Sequence, residues 1–231
     1  MTKPKCLDLF AGAGGCTVGY QRAGYHVTAI DQNKNAIKRN PADEAIVGDA
    51  MEALSDLAFL SQFQLVHTSP PCQAYSITKH THDNEHPDLY APVRQALVEW
   101  GGVWVIENVP GVPMPDYLLL CGSMFDLRAT DRDGTPLILR RHRLFESNAF
   151  LMAPGPCRHD GTQVGGVYGG GSTDHRHAKE IRRGGYTPLV SVARELMGID
   201  WMTQQQLTQA IPPAYTEFIG QQLIAAMAVA L

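Results

Sequence analysis

The sequence predicts an α/β fold built on an open, mostly parallel sheet, and three observations predict it. A short apolar strand, Lys5 to Phe10, runs into Ala11-Gly12-Ala13-Gly14-Gly15 and then into a helical pattern through about Ala23. Two more short strands each end in a carboxylate, at Asp31 and at Gly48-Asp49. A fourth apolar run, Phe63 to Val66, is cut off by Pro70-Pro71, because proline brings no N–H to a ladder. Glycine turns, acids and proline turns at strand tips belong where open α/β sheets gather their ligands.

Composition sets the outer bounds. The 231 residues are 44% hydrophobic and 18% charged, enough for one core with a small appendage. No stretch is long and apolar enough to span a bilayer, and the first ten residues lack a signal-peptide layout. Five cysteines, at 6, 16, 72, 121 and 157, form no Cys-x-x-Cys pair, which fits reduced thiols in a cytoplasmic setting. The net charge of −4 does not advertise nucleic-acid binding, so any such surface has to be local.

The first unit, strand then glycine turn then helix, is that of a nucleotide-binding fold, in which Gly12 and Gly14 let backbone approach a ligand closely. The third glycine of the dinucleotide fingerprint is replaced by Thr17, which suits a cofactor without a pyrophosphate, such as S-adenosylmethionine. The second strand, His26 to Ile30, offers Asp31 to the two hydroxyls of a ribose, with a helix cap as the plainer alternative. The third, Glu44 to Val47, offers Asp49 to an adenine amino group or as a cap for a helix over Met51 to Leu60. The three tips together read as an adenosine site.

After Phe63–Val66, Cys72 stands as a candidate nucleophile or an inert thiol in a proline turn. The polar stretch 77–88 contains His80, His82 and His86 but no ligand framing for zinc, and it reads as a lid. No metal site is expected. Leu89 to Trp100 is a helix and Val103 to Ile106 a strand that delivers Glu107 beside the strand preceding Cys72. A thiol and a carboxyl converging on one cleft suit nucleophilic attack on a ring that is protonated elsewhere. Leu127–Thr130 and Pro136–Phe145 form a hairpin around Asp131-Arg132-Asp133-Gly134. Period two then puts Leu139, Arg141, Arg143 and Phe145 on one face. The span 154–185 is glycine-rich and basic, with Tyr168, Arg176, Arg182 and Arg183, which suits a nucleic-acid backbone and an unstacked base. Leu189–Met197 is a short helix, and Pro212-Pro213 opens a last one, Ala214 to Leu231.

With these pieces in place the chain resembles the cytosine-5 DNA methyltransferase family. Asp8-Leu9-Phe10-Ala11-Gly12-Ala13-Gly14-Gly15 is similar to its first motif, Ser69-Pro70-Pro71-Cys72-Gln73 to its nucleophile motif and Glu107-Asn108-Val109 to its acid motif. Arg141-His142-Arg143 is similar to its paired-arginine motif, and Ala214-Tyr215 through Gly220 to its closing helix. The matches run in family order. Two positions depart: Leu139 stands where the family has glutamine, and Gln221 follows Gly220 where it has asparagine.

The resemblance implies a Rossmann-like class I methyltransferase sheet with helices on both faces and a terminal antiparallel strand, plus a small glycine-rich recognition segment. It implies a catalytic and cofactor-binding domain over 1–150, a recognition segment over 151–187 and helices over 188–231 packing back. S-adenosylmethionine, released as S-adenosylhomocysteine, would meet Phe10, Gly12, Gly14, Gly15, Asp31, Asp49, Pro70 and Leu89. Cys72 would add to C6 of a flipped cytosine, Glu107 would protonate N3, Arg143 would bind the base carbonyl, and Arg141 would lie near Cys72. Gln73 and Ser76 would join Tyr168, Arg176, Arg182 and Arg183 on double-stranded DNA. A monomer with a short target site, or with an accessory protein to read it, in a prokaryotic or phage-type cytoplasm, completes the expectation. The same chemistry on RNA or a free nucleotide, or a module that binds without turnover, stays open.

Overall fold

In a computed structural model of the protein, residues 2–71, 88–168 and 186–229 are described. Five strands alternate with helices: β1 (Lys5–Leu9), α1 (Gly15–Ala23), β2 (His26–Asp31), α2 (Lys34–Ile37), β3 (Glu44–Val47), α3 (Ala50–Ser55), α4 (Leu57–Leu60), β4 (Leu65–Thr68), α5 (Tyr90–Trp100) and β5 (Trp104–Asn108). Then come β6 (Leu118–Leu120), a 3-10 turn (Gly122–Phe125), β7 (Arg128–Thr130), β8 (Pro136–Ile138), β9 (Arg143–Ser147) and β10 (Gln163–Val164). Three helices follow, α6 (Val190–Met197), α7 (Gln204–Gln209) and α8 (Pro213–Val229).

The main sheet has the order β3-β2-β1-β4-β5-β9-β6. β1 to β5 are mutually parallel, and β9 closes the series antiparallel to β5. The chain turns from one side of β1 to the other between β3 and β4, so the gap above β1 and β4 is a topological switch point, where such sheets bind ligands. The central strands β1, β4 and β5 are buried on both faces, and period two sorts their side chains. Leu7 and Leu9 join Leu54, Val93 and Leu97 of α3 and α5, while Cys6 joins Tyr20, Tyr25 and Tyr215 on the α1 and α8 side. Full burial of each such aliphatic side chain contributes roughly 1.5–3 kcal/mol.

α1 and α8 pack closely because both present glycine at the crossing. A Cβ at Gly19 would lie 2.0 Å from Thr216 Oγ1 and 2.3 Å from the Pro213 carbonyl, and one at Gly220 would lie 2.7 Å from Ala23 Cβ. Thr216 seals the contact by donating to the Cys16 carbonyl at 2.9 Å.

A second, smaller sheet, β10-β8-β7, has its own apolar cluster with α6 and α7, including Leu137, Leu139, Val192, Leu196, Met197 and Leu207. That cluster draws residues from both sides of position 150. Two expectations on local structure are corrected. The run Pro136–Phe145 is not one strand: β8 lies in the small sheet and β9 in the main one, so Leu139 and Phe145 belong to different apolar clusters and share no face. The helix expected over Met51–Leu60 is broken at Asp56, whose carboxylate accepts from Phe59 N at 2.9 Å and caps α4 instead of continuing α3.

Candidate active site

A cleft of about 800 Å³ lies over the switch point. Its lining comes from the ends of β1, β2, β4 and β5, from Arg143, and from residues between Met202 and Ile211 at the far end of the sequence. The glycine loop after β1 makes one side. Phe10, Gly12 and Gly14 have positive φ, 56°, 52° and 91°. Gly14, the N-cap of α1, is the position that needs this freedom most, since a Cβ there would also meet Asn40 Oδ1 at 2.7 Å. Gly15 is held by proximity, because its Cβ would lie 2.3 Å from the Ile211 carbonyl.

The opposite wall is fixed to this loop across most of the chain. Trp201 Nε1 donates to the Ala13 carbonyl at 2.7 Å. Thr203 and Gln206 form a capping box that starts α7, and α7 supplies Gln205, Gln206, Thr208 and Gln209 to the lining. No sequence signal pointed to this wall.

Under the loop is a buried polar row. Asp8 is fully enclosed and accepts from Thr17 Oγ1 at 2.6 Å, which accounts for threonine at the third fingerprint position. Burial, aided by the nearby Asp31 carboxylate and opposed by the Thr17 hydroxyl, pushes Asp8 up to about 7. Its Oδ1 has no hydrogen-bond partner. On the adjacent strand its register partner is His67, bonded to Tyr20 Oη at 2.9 Å and Ser69 Oγ at 3.0 Å. Burial brings His67 down to about 3, so the imidazole is neutral.

Glu107 and Arg143 form the other end of the cleft. β4 and β5 pair through Thr68 and Ile106, and Asn108 Nδ2 donates to the Pro70 carbonyl at 3.3 Å. That bond holds Pro70-Pro71 beside Glu107. Arg143 Nε stands 3.0 Å from Glu107 Oε1, yet Oε1 lacks a hydrogen-bond partner. The two observations agree if the contact is an ion pair whose N–H points off the acceptor. Burial raises the Glu107 carboxyl above its ordinary range, although Arg143, Arg141 and Ser69 pull it down.

Of the residues expected at the site, Phe10, Gly12, Gly14, Gly15, Asp31, Pro70, Glu107 and Arg143 line this one cleft. Asp31 is already engaged: Gly12 N donates to its Oδ2 at 2.8 Å and Asn33 N to its Oδ1 at 2.7 Å. Each oxygen keeps a second acceptor position. Asp49, Leu89 and Arg141 are not among the lining residues. Asp49 takes the plainer role, accepting from Met51 N at 2.7 Å to cap α3. Leu89 packs against the core beside α5. Arg141 is a buried strut whose guanidinium donates to the carbonyls of Val167, at 3.2 Å, and Thr208, at 2.5 Å. Tyr168 is described and exposed. Cys72, Gln73, Ser76, His80, His82, His86, Arg176, Arg182 and Arg183 lie outside the described residues. Pro71, immediately before Cys72, lines the cleft.

Residues 4–117 match the family model for C-5 cytosine-specific DNA methylase, and the match spans the glycine loop, the proline turn and Glu107. Through these residues the chain is similar to the cytosine-5 DNA methyltransferase family. It is 35% identical over 79 residues to the type II methyltransferase M.HgiGI of Herpetosiphon aurantiacus, covering 31% of this chain and 62% of that protein. It is 26% identical over 125 residues to M.AquIA of Picosynechococcus sp., covering 47% of this chain and 49% of that one. The chain thus spans about half to three fifths of the length of these curated relatives. The fold matches S. pombe Dnmt2 methyltransferase with a TM-score of 0.59 at 13% identity, over 97% of this chain and 99% of that one. It also matches a putative DNA modification methyltransferase encoded within an E. coli prophage, at 0.58 and 15%, with the same coverage. These likenesses establish the class I methyltransferase fold, a sheet flanked by helices on both faces.

Proposed function

We propose that this chain transfers a methyl group from S-adenosylmethionine to C5 of a flipped cytosine in double-stranded DNA, with Cys72 as the nucleophile. The observation that carries the reading is a buried carboxyl, Glu107, raised by burial and ion-paired with Arg143, in the lining of the same cleft as the glycine loop.

The cleft fits the cofactor. Its volume falls within the roughly 300–1,000 Å³ of small-ligand sites, Gly12 and Gly14 leave bare backbone on one side, and Asp8 Oδ1 is an unpartnered acceptor in its lining. When bound, S-adenosylmethionine supplies an electrophilic methyl group. Phe10 and Asp31 are placed for its adenosine part, and the backbone of Gly12 and Gly14 for its methionine part.

C5 of cytosine is a poor nucleophile, so the base has to be activated first. The Cys72 thiolate forms a bond to C6 while the proton held by Glu107 passes to N3, leaving electron density at C5. Burial favours the protonated form of this carboxyl, and Arg143 steadies the carboxylate left behind. Once C5 carries the methyl group, its proton leaves to a base, the C6–S bond breaks and its electron pair returns to sulfur, and N3 gives its proton back to Glu107. The base has to leave the helix because attack comes from above a ring face that stacking covers.

DNA recognition is assigned to the 151–187 segment with Gln73 and Ser76, which suits a short target site or an accessory reader and a monomeric enzyme. Among the described residues no helix is long and apolar enough to cross a membrane. The test is DNA containing 5-fluorocytosine, incubated with protein and cofactor. Wild type forms a denaturation-resistant adduct and Cys72→Ala does not. A folded wild type that forms no adduct with DNA, but transfers tritium from labelled cofactor to RNA or dCMP, would reassign the substrate.

A further inference from the structure

Away from the cleft, the outer edge of the main sheet brings together Cys121, His142, Cys157 and His159. The antiparallel pair Leu120 and Arg143 ends the β6–β9 ladder, so Cys121 and His142, the next residue on each strand, stand opposite each other. The chain leaving β9 returns over them with Cys157-Arg158-His159. In an extended Cys-x-His the first and third side chains share a side. The four ligand atoms lie within 4.8 Å of one another, the single such group among the described residues. Cys121 Sγ is 3.7 Å from His159 Nε2, and Cys157 Sγ is 3.4 Å from His142 Nε2.

We propose that these four side chains form a tetrahedral structural zinc site of the Cys₂His₂ type. With zinc–sulfur bonds of about 2.3 Å and zinc–nitrogen bonds of about 2.0–2.1 Å, the sulfur-to-nitrogen edge of the tetrahedron is about 3.6 Å, the spacing found here twice. A set of two thiols and two imidazoles suits zinc over magnesium or calcium. A second layer of contacts is already in place. Ser123 Oγ donates to Cys121 Sγ at 3.2 Å and accepts from Arg158 N at 3.2 Å, which orients a ligand from each of the two segments. On binding, each cysteine releases its thiol proton to solvent as the metal–sulfur bond forms. The ion would fasten the 148–160 return to the ends of β6 and β9, one residue from Arg143. The site has three protein elements and four ligands, leaving no open position, so its role is structural rather than catalytic.

The test is metal content of the full chain, expressed with a histidine-free affinity tag in zinc-supplemented medium and dialysed under reducing conditions. The expected result is about one zinc per chain. Cobalt exchange should give the visible bands of a tetrahedral site and near-ultraviolet thiolate charge transfer. Cys157→Ser and His159→Ala should lose the metal. His26→Ala, at an exposed site, should keep it, and so should His159→Cys, which preserves a ligand and guards against misreading a folding defect. A folded parent chain purified without zinc would overturn the site, as would a Cys121–Cys157 disulfide in non-reducing peptide mapping, or zinc retained by both ligand-deleted variants. None of these readouts depends on methyl transfer, so the metal site and the enzymatic reading fail separately.

Discussion

Asp8 and His67 face each other across β1 and β4, both fully buried, and their proton equilibria oppose each other. The Asp8 carboxyl rises from 3.8 to about 7, so its contribution to stability is fully present below 3.8 and is lost as pH rises through about 7. The His67 imidazole falls from 6.5 to about 3, so its contribution is present above 6.5 and is lost as pH falls toward 3. At roughly 1.4 kcal/mol for each tenfold change in proton affinity, either group alone tilts stability by ~4 kcal/mol between about pH 4 and pH 7. In the wild type the two tilts have opposite signs and largely cancel. Asp8→Asn should therefore gain stability over the parent as pH rises through this window, and His67→Gln should lose it, each by ~4 kcal/mol. Urea unfolding of the parent and both variants at fixed pH values from 4 to 7.5 measures this. All other carboxylates are shared, so the variant-minus-parent difference isolates each group. A difference that stays constant with pH for either variant would refute the assignment of its proton.

Three further outcomes are expected. Glu107→Gln keeps the shape of the acid but removes its proton, and methyl transfer should fall by ~10²–10⁴-fold with cofactor affinity changed little; isothermal titration beside the activity assay separates the two, and unimpaired turnover would exclude Glu107 as the acid. Gly19→Ala drives a methyl into Thr216 and the Pro213 carbonyl, and should cost ~3 kcal/mol or more in chemical denaturation, at the upper end of overpacking effects. Trp201→Phe removes the donor to the Ala13 carbonyl and should cost ~1 kcal/mol of folding stability in urea unfolding; an unmoved urea midpoint would show that the bond does not hold the two walls together.

The elements that could be read from sequence were those whose cause is local. β1, its glycine loop and α1 were visible because a buried parallel strand is an apolar run and glycines mark where φ turns positive. Glu107 was visible because β4 and β5 follow in order and pair. Asp31 and Asp49 show where local reading stops. Each sits at a strand tip before a helix, and only the three-dimensional course of the chain shows that Asp31 lines the cleft while Asp49, which accepts from Met51 N, lies off its lining. The 136–145 run looked like one strand because its alternation continues while the chain crosses from one sheet to the other. The wall from Met202 to Ile211 and the cluster of Cys121, His142, Cys157 and His159 had no local mark at all. Each depends on segments that meet only after the sheet has closed.

The bond from Trp201 to Ala13 has a consequence for how the molecule comes into being. A nascent chain that has delivered every motif through Glu107 still has half a binding site, because the other half is encoded almost two hundred residues after the glycine loop. Completion of the cleft is thereby deferred until Trp201 and the residues after it have been made, and a polypeptide cut short before Trp201 would hold its signature residues without the cleft's second wall.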